Sequence, residues 1–309
     1  MRMVFTGVLM TAILAGCGSR GNCPEGSEAH GGSPPGDTEQ WCEALGSDGD
    51  VMRVGPYVQW YVTGEKKSEG QYEQGKRSGK WTYWHEGGKK RQEGDYENGL
   101  RQGRWAYFHK NGAVADEGEY KDDKRQGRWV MSYNDGAKKA EGDYLDDEKH
   151  GPWVLYSRSG EKLVEGQWDR GKRVGNWHFW YQSGKQRKLG EYVDGQPQGK
   201  WTIWHENGEV RKEGKFEKGK MVGWWVEFHE NGKKAREGGY RDGRRVGVWR
   251  SWDEQGAEQD PTDEGGEPVP APDGGVGGEG GDAPEDKPAA AKNEPEQGAP
   301  KKPGKAKAK

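Results

Sequence analysis

Aliphatic bulk is what this chain has least of. Hydrophobic residues of every kind fill only 29% of its 309 positions. No apolar stretch approaches the ~20 residues that a membrane-crossing helix needs. A thick aliphatic core is excluded, and so is a parallel-sheet enzyme fold, whose buried strands read as Val/Ile/Leu runs. An excess of one charge is also missing: 49 Lys and Arg stand against 52 Asp and Glu, a net charge of −3 that gives no global pull toward nucleic acid. Cysteines number three, and Cys23 and Cys42, with only His30 nearby, do not make a metal site. So little apolar surface beside 33% charged residues ordinarily means disorder. Yet disordered chains are poor in aromatics, and this one carries 16 Trp, 13 Tyr and 5 Phe among 54 Gly. Its apolar content sits in a few large rings, each able to bury about 150–250 Å². The composition points to a β protein punctuated by glycine and tryptophan.

The N-terminus reads as an address. After Arg2, the run Val4 to Leu14 is mostly apolar and too short to span a bilayer, which suits the hydrophobic region of a signal peptide. It ends in Leu14-Ala15-Gly16-Cys17, which resembles the lipobox of bacterial lipoproteins. That resemblance implies a signal peptide over 1–16 and a lipid on Cys17, with acyl chains contributing about 0.8 kcal/mol per buried CH₂. The protein is then expected to be exported and anchored at the cell envelope, on the outer membrane or the periplasmic face. Residues 17–54 read as a Gly/Ser/Pro-rich linker. Within it Cys23 and Cys42 either pair, as cysteines outside the cytoplasm normally do, or stay as two free thiols.

From Gly55 the sequence repeats every 24 residues without slippage. Tryptophan occupies 81, 105, 129, 153, 177, 201, 225 and 249, each with a glycine two residues earlier. A second glycine column runs from Gly88 to Gly256 and a third from Gly70 to Gly238. Two residues after the third comes an aromatic: Tyr72, Tyr96, Tyr120, Tyr144, Trp168, Tyr192, Phe216, Tyr240. Self-similarity of this kind decides architecture before local propensity does. Each unit reads as a β-hairpin. Lys200 to His205 is aromatic and β-branched, Asn207-Gly208 predicts a two-residue turn with both residues at positive φ, and a polar strand returns from Glu209 to Phe216. Pleating puts Trp201 and Ile203 on one face and Trp204 on the other. The tryptophan column is the core, and the third-column glycines leave room for a bulky neighbour. A terminal unit, with one neighbour fewer, is expected to be weaker, so Trp249 should matter less than Trp153.

The pattern Tyr-x-x-Gly-x-x-x-Gly-x-Trp-x-x-Trp-x-x-x-Gly, at Tyr72 to Gly88 and again at Tyr192 to Gly208, resembles the bacterial variant of the MORN repeat, found in YwqK-like antitoxins. The resemblance spans residues 55–256, eight repeats and a half-unit. It implies an all-β fold, an elongated open antiparallel meander of stacked 24-residue hairpins; composition adds a disordered N-terminal linker and C-terminal tail. The chain departs from the pattern at Asp123 and Asp147 in place of a turn glycine, at Ser132 in place of the second strand aromatic and at Leu189 in place of Glu.

No constellation for chemistry stands out, and no cofactor is expected. His85, His109, His205 and His229 share a column at a strand end, where a solvated imidazole is the default. Two strands apart, at about 9–10 Å, they do not share a zinc ion. Acids recur at Glu69, Glu93, Glu117, Glu141, Glu165, Glu213 and Glu237. Bases recur at Arg77, Arg101, Arg125, Lys149, Arg173 and Arg245, and stacked they would form a basic row along one edge. That row reads either as anion-facing or as ordinary edge protection. The candidate binding surface joins Arg77, Arg101, Arg125, Arg173 and Arg245 to the second-strand aromatics Trp84, Phe108, Tyr156, Trp180, Trp204, Phe228 and Trp252.

Beyond Gly256 aromatics cease. Asp253 to Asp286 holds 12 acids and no Lys or Arg, while Lys287 to Lys309 holds seven lysines, so 257–309 reads as a disordered, charge-segregated tail. The expected function is that of a non-enzymatic, monomeric, lipid-anchored scaffold or protein-binding module. Its partner would be an envelope protein or anionic envelope polymer and not nucleic acid. Toxin neutralisation, as an antitoxin or immunity-like protein, and glycan or peptidoglycan binding are the alternatives.

Overall fold

The computed structural model describes residues 22–272; Cys17, its lipobox and the tail beyond 272 lie outside them. The described residues form one open, all-antiparallel sheet of 20 strands in which each strand pairs with its sequence neighbours. The sheet begins with β1 (Glu28–Gly31), β2 (Glu39–Leu45) and β3 (Val51–Trp60). It continues from β4 (Lys66–Glu73), β5 (Lys76–Trp84) and β6 (Lys90–Glu97) through to β19 (Arg244–Trp252), and ends at β20 (Glu258–Asp263).

The 24-residue unit is held by one device, visible at Trp81. Gln71 pairs with Ser78 but Glu69 pairs with Thr82, so β5 carries a bulge in which Gly79 takes φ +61°. The bulge swings Trp81 onto the neighbouring strand, where its indole lies flat on Gly70; a Cβ there would collide with Trp81 Cδ2, Cε2 and Cγ. The indole N–H donates to the Gln71 carbonyl at 3.1 Å. Tyr72 meets the ring edge-on, at 5.3 Å between centroids and 90° between planes. The third-column glycines are therefore the seats of the tryptophans, and the seat recurs beneath all eight, from Gly70 under Trp81 to Gly238 under Trp249. Trp105 and Trp129 repeat the indole bond and the edge-on tyrosine. Trp177 departs slightly, its N–H donating to the Val174 carbonyl. The result is a thin core on one face, in two clusters: Tyr57 to Trp153, and Trp201 to Trp249. At the end of the first cluster Lys149 Nζ lies 4.2 Å from the centroid of Trp153 and 5.0 Å from that of Trp168.

The turns reverse the sequence-based assignment. Asn207 does not adopt positive φ; Gly208 alone does, at +106°. His205 N–H bonds the Glu209 carbonyl and Gly208 N–H the His205 carbonyl, a three-residue loop of a type I turn closed by a left-handed glycine. The two-residue turns with both residues at positive φ lie at the other strand ends, as at Gln74-Gly75 and Lys218-Gly219. Asp123 and Asp147 hold that conformation too, at φ +67° and +71°. Their carboxylates accept the backbone and Nε protons of Arg101 and Arg125, an anchor glycine lacks.

The sheet outruns the expected array at both ends, and this corrects the reading of 22–54 and 257–272 as disordered. A Cys23–Cys42 disulfide, with Cα atoms 5.6 Å apart, ties the entry segment to β2. At the far end β20 pairs with β19, and Gly247 exchanges backbone hydrogen bonds with Glu264 and Gly265. Trp249 is consequently as buried as Trp153, 2% against 1% exposed. The terminal tryptophan does not lie at a frayed end, because a further strand covers it.

Candidate interaction surface

Opposite the core, the outer face is built from the residues that alternate with the tryptophans. Its central strip is ionic. Each of the seven glutamates read as an acidic column sits in an ion pair with Lys or Arg, from Glu69 with Lys66 at 2.6 Å to Glu237 with Lys234 at 3.0 Å. Glu141 is the most heavily bonded, accepting from Lys138 at 2.8 Å and from the Tyr156 hydroxyl at 2.6 Å, with Arg128 at 3.0 Å. Burial opposes its charge, but the bonds from Lys138, Tyr156 and Arg128 prevail and bring its pKa from the usual 4.5 down to about 2. Burial and Glu141 together push Tyr156 up to about 12. A carboxylate whose pKa falls on folding stabilises above its unfolded value and loses that contribution as pH falls through the folded one. Glu141→Gln should therefore lower stability by about 1.5–3 kcal/mol at pH 7. The gap to the unsubstituted chain should close between pH 4.5 and 2 in urea melts. A gap constant with pH would show that the carboxylate charge is irrelevant.

Beside this strip runs the aromatic row. Trp84, Phe108, Tyr156, Trp180, Trp204, Phe228 and Trp252 are all half-buried on the outer face, one on every second strand, with Ser132 as the interruption. Lys66, Lys138 and Lys234 lie over Trp84, Tyr156 and Trp252 at 5.4–5.8 Å, and His178 stacks on Trp180 at 5.7 Å. Their carbonyls are also used. His85, His109, His205 and His229 bond through Nε2 to the carbonyls of residues 108, 132, 228 and 252, each 23 positions on. Tyr61, Tyr133 and Tyr181 donate their hydroxyls in the same way to residues 84, 156 and 204. The histidine column is thus a set of unit-to-unit ties and not a row of solvated imidazoles. Tyrosine and histidine standing in for each other at one position was the signal in the sequence, since both offer a long, rigid ring with a polar tip. Ser157 is too short to reach and bonds Ser159 and Glu161 locally instead.

The arginines are not on this surface. Arg77 stands directly opposite Tyr72 in the β4–β5 ladder and therefore shares the core face. Its guanidinium lies 4.9 Å from the centroid of Trp81, and Arg101 and Arg125 lie 3.9 Å from Tyr120 and Tyr144. Arg173 and Arg245 cover Trp177 and Trp249, each at 4.5 Å. Asp123, Asp147 and Glu264 pair with Arg101, Arg125 and Arg245. These cations roof the core by cation–π contact instead of forming a free basic edge. Among the described residues no group of three or more His, Cys, Asp or Glu gathers where a metal ion could be held.

Residues 77–98 and 197–218 match the MORN repeat variant family. No curated protein matches the chain. Solved structures that it resembles include a TcdB2-TccC3 assembly, at 9% identity and a TM-score of 0.16. Another is a TcdB2-TccC3-Cdc42 assembly, at 10% identity and a TM-score of 0.18. Each alignment covers 73% of this chain and 16% of the other, so the chain spans about a sixth of their length. Residues 77–98 and 197–218 occupy equivalent places in the same 24-residue frame, and the chain is a repeat protein two of whose units match the MORN repeat variant.

Proposed function

We propose that this chain is a non-enzymatic, lipid-anchored binding or scaffold protein of the cell envelope that engages an envelope protein through the outer face of its sheet. The observation carrying the reading is the row of half-buried aromatics repeated on alternate strands of one open face. Such a row offers desolvatable surface at regular intervals, whereas a pocket would need one unit unlike the rest. A partner of anionic polymer has less to hold, since the arginine column is folded over the core rings. The edges favour a monomer: β1 has four residues, and β20 carries Pro261 among Glu258, Asp260 and Asp263. A second reading, glycan stacking, is favoured by the indoles of Trp84, Trp180, Trp204 and Trp252 on that same face. Toxin neutralisation rests on the family resemblance alone.

Three measurements test this. Mass spectrometry of the mature N-terminus should find a diacylglyceryl group on Cys17, and an unmodified soluble N-terminus in the native host would refute the anchor. Deleting one unit, Gly166 to Leu189, should leave a folded array that binds its envelope partner more weakly but still measurably. Complete loss with one unit and no loss with another would identify a single pocket instead. Quenching of tryptophan fluorescence by peptidoglycan fragments, without protein capture, would favour the glycan reading.

A further inference from the structure

The bulge that seats each tryptophan leaves a bare left-handed glycine on the outer face, near the two-residue turns and away from the aromatic row. Its orientation is fixed by its neighbours: where a Cβ would stand on Gly151 and Gly199, the nearest atoms are carboxylate oxygens of Asp143 and Glu191, at 3.3 and 3.6 Å. Those two side chains alternate with the core residues of their strands, so the glycine opens on the face opposite the core. At Gly79, Gly103, Gly127, Gly175 and Gly223 nothing lies within 4 Å of that point. The position is a notch, and it recurs on every second strand.

At both ends of the sheet the chain fills this notch with a proline of its own. Pro24 Cδ and Cγ sit 2.6 and 2.8 Å from the Cβ position of Gly55, and Pro268 Cβ sits 2.8 Å from that of Gly247. The two segments are unrelated in sequence, one leading into β1 and the other following β20. At the second site charge is matched as well. The docked segment is acidic, with Glu267 on Arg241 at 2.8 Å. There the residue equivalent to Asp143 and Glu191 is Gly239, whose missing side chain is replaced by Val269. At Gly103 and Gly127 the equivalent residues are Asp95 and Glu119, both exposed and neither ion-paired among the described residues. Gly79, Gly103 and Gly127 are three empty notches in succession.

We propose that this run is a docking groove for a proline-containing, basic, extended segment of a partner protein, with prolines at every third residue. The spacing supports the match: two strand separations amount to about 9.5 Å. Three residues of polyproline II rise by about 9.3 Å. A Pro-x-x-Pro-x-x-Pro stretch would place one ring in each notch, with intervening Lys or Arg facing Asp95 and Glu119. This surface lies at the opposite strand ends from the aromatic row, so either can fail without the other.

The test is fluorescence anisotropy on the full chain with a labelled peptide, Pro-Lys-Ala-Pro-Lys-Ala-Pro. Two peptides of equal charge serve as controls, one with every proline replaced by alanine and one with prolines at every second residue. The three-spaced peptide should bind at least tenfold more tightly than either. Gly103→Asn with Gly127→Asn, which tolerates the left-handed backbone but fills the notches, should remove that preference. Should that variant melt early, Asp95→Lys with Glu119→Lys, both exposed, should abolish binding while leaving the melt unchanged. Equal binding of all three peptides, no binding, or undiminished binding by the folded variants would each overturn the proposal.

Discussion

Trp105→Ala is expected to lower the stability of the chain by about 3–5 kcal/mol, the range of a fully buried aromatic truncated to alanine. Trp105 is 0% exposed, although only one layer of sheet lies beneath it. Tyr96, Tyr107 and Tyr120 surround it with ring centroids at 5.1–6.3 Å, and its N–H is satisfied by the Asp95 carbonyl. Arg101 lies over it and over Tyr120. Removing the indole opens a cavity that a pleated sheet cannot close by local collapse, because the register is fixed on both sides. Urea denaturation should show a lower midpoint with an unchanged slope. A loss below 1 kcal/mol would mean that the tryptophans ornament the sheet and do not hold it.

Gly94→Ala is the second large effect, and it comes from adding one methyl group. Gly94 has no left-handed backbone demand, so alanine is acceptable to its φ and ψ. The difficulty is steric alone: the new Cβ would fall within Trp105 Cδ2, Cε2 and Cγ. The indole must lift from its seat, breaking its bond to Asp95 and its edge-on contacts. Overpacking of this kind costs about 1–3 kcal/mol and sometimes more. Gly79 gives the contrast, since a Cβ there meets nothing and strain comes only from its φ of +61°.

Much of this arrangement was legible in the sequence, for a physical reason. A strict 24-residue period leaves each side chain its own image as neighbour two strands away, so columns of one residue type become rows in space. The all-β meander, the tryptophan core and the room-making role of Gly70 to Gly238 all follow from that. What did not follow depends on register. Asn207-Gly208 reads as a two-residue turn, but Trp204 pairs with Val210 instead of closing one step earlier, and the loop takes three residues. The arginine column was legible as a row but was assigned to the wrong place. The missing step was counting back across the Glu73–Lys76 turn, which sets Arg77 beside Tyr72. The entry segment looked like a linker because its Gly, Ser and Pro content hides two short strands that lack the repeat's tryptophan.

The seat of tryptophan on glycine is the central claim, and a double-mutant cycle at Gly94 and Trp105 tests it most directly. If the two residues act only through each other, Gly94→Ala should be harmful with Trp105 present. In the Trp105→Ala background it should be neutral or stabilising by up to about 1 kcal/mol, because alanine then merely restricts the unfolded chain. Losses that simply add across the two sites, each measured by urea melts, would contradict the account.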